Sequence, residues 1–108
     1  MINMPEQSTE SMYRKLDTTF THDGFSYKQL SRTGNVAIYE QSKTYMKMPI
    51  YEVVVIRQMR GRTSGLFKIV PHEKYPSNEE WGKYGWTLPT LEGAKEKMEE
   101  LIEAHRNR

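Results

Sequence analysis

Apolar residues along this chain follow two spacings, short dense runs through the middle and a three-and-four step near the end. Residues 1–16 follow neither: they are polar, with only Met12, Tyr13 and Leu16 as candidate anchors. A short helix from Ser8 to Leu16 has two turns at most, so this segment is expected to be mostly mobile and dispensable for folding, ahead of a single domain over 17–108. The runs begin at Phe25. Residues 25–32 lead into Gly34-Asn35, a pair suited to the positive φ values of a two-residue hairpin turn, and Val36, Ala37, Ile38 and Tyr39 follow at once. Residues 51–57 carry apolar side chains on both parities, Tyr51, Val53 and Val55 against Val54 and Ile56, which predicts a central strand. Residues 61–65 then read as a turn and 66–70 as a fourth strand, ended by Pro71, which has no amide to give to a ladder.

The connection over 71–89 is polar and aromatic. Within it Ser77-Asn78-Glu79-Glu80 has the capping-box spacing and predicts one helical turn, with Gly82 and Gly85 to end it. Thr90 is a good N-cap for a final helix, and Glu92 sits in its first turn, where negative charge meets the positive end of the helix dipole. Leu91, Ala94, Met98, Leu101 and Ile102 share one stripe, expected to be buried against Ile38, Val53, Val55 and Trp86. The fold class is therefore α+β: a four-stranded antiparallel sheet in sequence order with a C-terminal helix across one face.

Length and composition narrow the setting. At 108 residues the chain fits one domain able to bury a core without staples. It has no cysteine, which excludes disulfides and thiolate metal sites and suggests the cytoplasm. Neither a membrane-spanning apolar run nor a signal-peptide pattern is present, so no membrane partner is expected.

Charge is segregated. Residues 25–75 hold nine lysines and arginines against Glu40, Glu52 and Glu73, whereas the remainder carries seven basic and eleven acidic residues. The net +2 thus conceals a basic middle, the kind of field that steers an acidic partner. Chemistry is scarce by comparison. His22, His72 and His105 have no partners at metal-ligand spacing, the pairs Glu79-Glu80 and Glu99-Glu100 suit helix caps and solvated faces, and no nucleophile elbow, phosphate loop or dinucleotide glycine pattern occurs. No catalytic residue, metal or cofactor is assigned, and a non-catalytic binding module is expected.

Two segments are candidates for contact. In residues 57–65, Arg57, Arg60 and Arg62 flank Gly61 and precede Thr63 and Ser64, a mixture of guanidinium forks, hydroxyls and close backbone that suits phosphate oxygens, or equally a solvated hairpin tip. Lys43 and Lys47 on the loop before Pro49 add charge, and Tyr45, Met46 and Met48 on that loop form a small adaptable patch. Tyr75, Trp81, Tyr84 and Trp86 could stack on bases, but are better explained as pins holding the long connection over the core.

The runs Gly34-Asn35-Val36-Ala37-Ile38-Tyr39-Glu40, Tyr51-Glu52-Val53-Val54-Val55-Ile56, Glu80-Trp81-Gly82-Lys83-Tyr84-Gly85-Trp86 and Thr90-Leu91-Glu92-Gly93-Ala94-Lys95 together resemble small accessory proteins encoded by bacteriophages and mobile elements. That resemblance covers 24–104 and implies contact with viral or host nucleic acid, or inhibition of a host enzyme, in the host cytoplasm. The strand-then-helix order is also similar to WGR domains, which bind nucleic acid, but Trp81-Gly82-Lys83 falls after the strands and lacks the arginine. The expected partner is nucleic acid or a nucleoprotein complex gripped by Lys43, Lys47, Arg57, Arg60 and Arg62. The alternatives are an acidic host protein meeting the same patch, and self-association through an uncovered sheet face.

Overall fold

The computed structural model of the protein describes residues 14–106. In chain order these form β1 (Thr19–His22), β2 (Phe25–Thr33), β3 (Val36–Ser42), β4 (Ile50–Val55), β5 (Arg57–Met59), β6 (Arg62–Ser64), β7 (Phe67–Ile69), β8 (His72–Lys74), a 3-10 turn (Asn78–Glu80), β9 (Gly85–Leu88) and helix α1 (Leu91–Arg106). Five strands make the main antiparallel sheet, in the order β1-β2-β3-β4-β9.

The expected central strand is central, since β4 lies between β3 and β9 and is buried along most of its length. Alternation across the sheet sends Val36, Ile38, Val53 and Val55 to one face, where Ala94, Met98 and Leu101 of α1 close on them with Trp86, Leu91 and Ile102 at the margin. Each such aliphatic side chain stabilises the fold by roughly 1.5–3 kcal/mol. The helix begins as its sequence dictates, with the Gly93 amide donating to Thr90 Oγ1 at 3.0 Å.

The opposite face carries a second core, partly covered among the described residues. Ala37, Tyr39, Val54 and Ile56 point there with Tyr27, under Leu16, Phe20, Phe25, Tyr75 and Trp81. Phe20 stacks on Tyr27 at 4.7 Å between ring centroids, and Tyr75 meets Tyr39 edge-on at 5.2 Å.

Three expectations are corrected. Residues 66–70 do not join the main sheet: β7 pairs only with β6, inside the segment expected to be a turn, and β9 takes the place beside β4. The true turn there is Gly65-Leu66, with Gly65 at φ 60°. A strand not foreseen, β1, pairs with β2 through Asp23-Gly24, both at positive φ as a type I′ turn requires. Finally, residues 14–16 are not the end of a helix. Most of the helix placed over 8–16 lies outside the described residues, but 14–16 run extended beside β8: the Arg14 amide donates to the Pro71 carbonyl and the Glu73 amide to that of Arg14, both at 2.9 Å.

Candidate functional site

Past Val55 the chain leaves the main sheet as a two-stranded ribbon, β5 on β8 at the root and β6 on β7 beyond it. A close crossing joins the two halves. A β-carbon at Gly61 would collide with the Ile69 carbonyl oxygen and the Pro71 ring, so only glycine lets the strands approach there. Every residue of β6 and β7 is exposed, and Leu66 and Phe67 at the tip are 101% and 76% exposed. No carboxylate occurs between Glu52 and Glu73, so the ribbon beyond its root has only positive charge, from Arg60, Arg62 and Lys68.

The basic residues singled out from the sequence divide into two groups at opposite ends of β4. Lys43, Tyr45 and Lys47 lie on the loop before it, whereas Arg57, Arg60 and Arg62 follow it, and a six-residue strand spans roughly 17–20 Å. The structure does not bring them into one patch. Lys43 Nζ sits 4.6 Å from the Phe25 ring centroid, Lys47 is exposed, Tyr45 is 87% exposed, Met48 is exposed and Met46 is half-buried. Arg57 is engaged internally, paired with Glu80 and lying over the Tyr84 ring at 4.5 Å. Glu80 also accepts the Ser77 amide at 2.9 Å, the reach-back half of the expected capping box; this bond and the neighbouring Arg57 and Lys74 hold its carboxyl below the usual range. Arg60, Arg62 and Lys68 are exposed and make no ion pair among the described residues.

Two further members of the basic middle also have partners at home, Lys74 sharing the one carboxylate that holds Arg57. Lys74 Nζ lies 3.6 Å from Glu80, and Arg32 forks onto buried Glu73 with nitrogen–oxygen distances of 2.9 and 2.8 Å. Those Arg32 hydrogen bonds, with the Leu16 amide at 2.9 Å, hold the Glu73 carboxyl down to about 2. Arg32 and Glu73 are 41 residues apart, so counting charge along the chain could not pair them.

A second feature escaped the sequence reading. On the face away from α1, a cleft of about 630 Å³ opens between Phe20, His22, Tyr27, Tyr75 and Trp81, with Glu52 in its lining. Glu52 is 8% exposed. Its Oε1 accepts the Tyr75 hydroxyl at 2.5 Å, while Oε2 has, among the described residues, only the Gln41 amide at 3.4 Å, a group that gives its shorter bond, 2.7 Å, to the Tyr27 hydroxyl. Burial pushes the Glu52 carboxyl up from its ordinary value, with the Tyr75 bond and nearby His22 acting against that rise. Burial and the adjacent Glu52 push the Tyr75 phenol upward as well. Trp81 closes one side, donating its indole Nε1 to Thr87 Oγ1 at 3.0 Å, and its ring fills the space a β-carbon on Gly85 would occupy. Trp81 and Trp86 both pack over the core, on opposite faces of the sheet. The only prior signal for the cleft was a glutamate inside a β-branched run.

Among the described residues no group of three or more His, Asp or Glu side chains is placed to hold a metal ion, and no helix is long and apolar enough to cross a membrane. No family model matches the chain, and comparison with curated proteins and with solved structures finds no match either.

Proposed function

We propose that the protein is a non-catalytic nucleic-acid-binding module that grips phosphates with its β6–β7 ribbon. The observation that carries this reading is the ribbon itself, an exposed two-stranded arm bearing Arg60, Arg62 and Lys68 and no carboxylate. A duplex major groove admits a two-stranded β-ribbon, and cations on such an arm meet phosphates on either side of it. Leu66 and Phe67 at the tip supply apolar surface for base edges or thymine methyl groups. Lys43, Lys47 and Arg57 contribute less in this reading, the first two because they sit at the far end of β4 and the last because Glu80 already holds it. A phage-type accessory role, exercised on nucleic acid or a nucleoprotein complex in the host cytoplasm, accords with the resemblance noted above.

The test is fluorescence anisotropy with single- and double-stranded probes over a salt series beginning near 50 mM, where counterion release still favours binding strongly. Changing Arg60, Arg62 and Lys68 together to Ala is expected to weaken binding about equally for all sequences and to flatten the salt dependence by about one unit per lost contact. Circular dichroism should be unchanged, since exposed charges contribute little to stability. Absence of binding by the unaltered protein at low salt removes this reading and passes attention to the exposed Tyr45 and Met48 loop and the apolar ribbon tip as surfaces for a host protein.

A further inference from the structure

The cleft around Glu52 is separate from the ribbon and has the composition of a ligand site. Its volume of about 630 Å³ falls within the range that holds small molecules, and its walls are aromatic rings around one buried charge. Buried carboxylates in folded proteins are paired with a cation or fully hydrogen-bonded. Glu52 has one hydrogen bond on each oxygen and no cation among the described residues. No lysine or arginine among the described residues forms an ion pair with it, and His22 at the rim is exposed and faces Asp23 at 3.3 Å. Gln41 reaches Oε2 only at 3.4 Å, so that oxygen keeps acceptor capacity beside the open cleft.

The chemistry of what would complete it is constrained. Oε1 already accepts the Tyr75 hydroxyl and Oε2 the Gln41 amide, which leaves each oxygen one further lone pair for a cation. An ammonium completes the carboxylate through one oxygen, and a guanidinium can also fork onto a carboxylate whose Oε1 is already engaged, as Arg32 does on Glu73 beside the Leu16 amide. Tyr75 and Trp81 line the cleft, where aromatic rings favour a cation, and the apolar wall suits an aliphatic stem behind it. We infer that the Glu52 cleft binds an organic cation on an alkyl stem, an ammonium or a guanidinium, with the Glu52 carboxylate as its counter-ion and Tyr75 and Trp81 among its walls.

Two sources share this chemistry, a free diamine and the side chain of a lysine in a partner peptide. Titration of the full chain with pentane-1,5-diamine, followed by the indole N–H resonance of Trp81, is expected to move that resonance saturably, and pentan-1-ol at equal concentration to leave it in place. Glu52→Gln keeps the shape and removes a charge that burial disfavours, so its melting midpoint should hold while affinity for the diamine falls by about tenfold or more. Nα-acetyl-lysine methylamide distinguishes the sources: a matching shift assigns the site to peptide lysines, and a response to the diamine alone assigns it to free amines. The inference is overturned if the alcohol binds as well as the amine, if the Trp81 resonance stays unmoved into the millimolar range, or if Glu52→Gln binds unchanged. Should that variant unfold, the amine and alcohol comparison on the unaltered protein decides. The ribbon is untouched throughout, so the outcome does not depend on the nucleic-acid reading.

Discussion

Glu73 and Glu52 carry the same side chain on the same face of the molecule's interior and have opposite fates. Glu73 receives two guanidinium hydrogen bonds and a backbone amide, so its ionised form is favoured and its carboxyl titrates near 2. Because that lies below the ordinary value of 4.5, its contribution to stability is complete above about 4.5 and is lost as pH falls towards 2. A carboxyl held that far down loses roughly 3 kcal/mol of stabilisation once it is fully protonated. Urea unfolding between pH 5 and 2 should therefore show a steeper fall for the unaltered protein than for Glu73→Gln, which should already be less stable at pH 6. Equal slopes would show that the Arg32 fork does not form in solution. Glu52 lacks a guanidinium partner and has a desolvated charge, which burial disfavours. Charge arithmetic along the chain weights these two carboxylates alike and cannot see partners from outside the middle: Arg32 is held by Glu73, while Arg57 and Lys74 share Glu80.

Helix α1 was legible because its period is local. Leu91, Ala94, Met98, Leu101 and Ile102 step around one face, and the structure buries that face on β3 and β4. Leu101→Ala is expected to cost about 2–5 kcal/mol, read as a lower urea midpoint at unchanged slope. An unmoved midpoint would detach the helix from the core. The β2–β3 turn and the central place of β4 were legible for similar reasons, the first from Gly34-Asn35 and the second from apolar residues on both parities. Sheet membership was not legible, since it is decided by pairing across long separations. Residues 66–70 look more strand-like than Gly85–Leu88, yet the shorter segment reaches β4 because Trp86 and Leu88 seal the helix core while Tyr84 accepts the Val55 amide at 2.8 Å. Strand β1 had its Asp23-Gly24 signal in plain view, but Phe20 is its one large apolar residue, too little for a pattern of alternation.

In the whole molecule the ribbon and the segment over 14–16 meet at β8. That short strand pairs with β5 on one side and accepts Arg14 on the other, while its Glu73 is locked by Arg32 from β2. The root of the proposed binding arm is thus held from three directions, and its outer half, among the described residues, pairs only with itself. Leu16 covers part of the aromatic face and gives its amide to Glu73, so residues 14–16 act as a strap across the root. Two shortened chains separate this strap from what precedes it, one beginning at Arg14 and one at Asp17. The chain beginning at Asp17 should be less stable than the other by roughly 2–4 kcal/mol, from a half-buried leucine and the lost hydrogen bonds around β8. Its Glu73 amide, which donates to the Arg14 carbonyl in the intact fold, should exchange with solvent faster, and its affinity for nucleic acid should fall although no contact residue has been removed. Faster exchange with unchanged affinity would show that the arm grips without its root being fixed. Equal exchange in the two chains would show that the strap does not hold β8, and the rigidity of the arm would then rest on β5 and Arg32 alone.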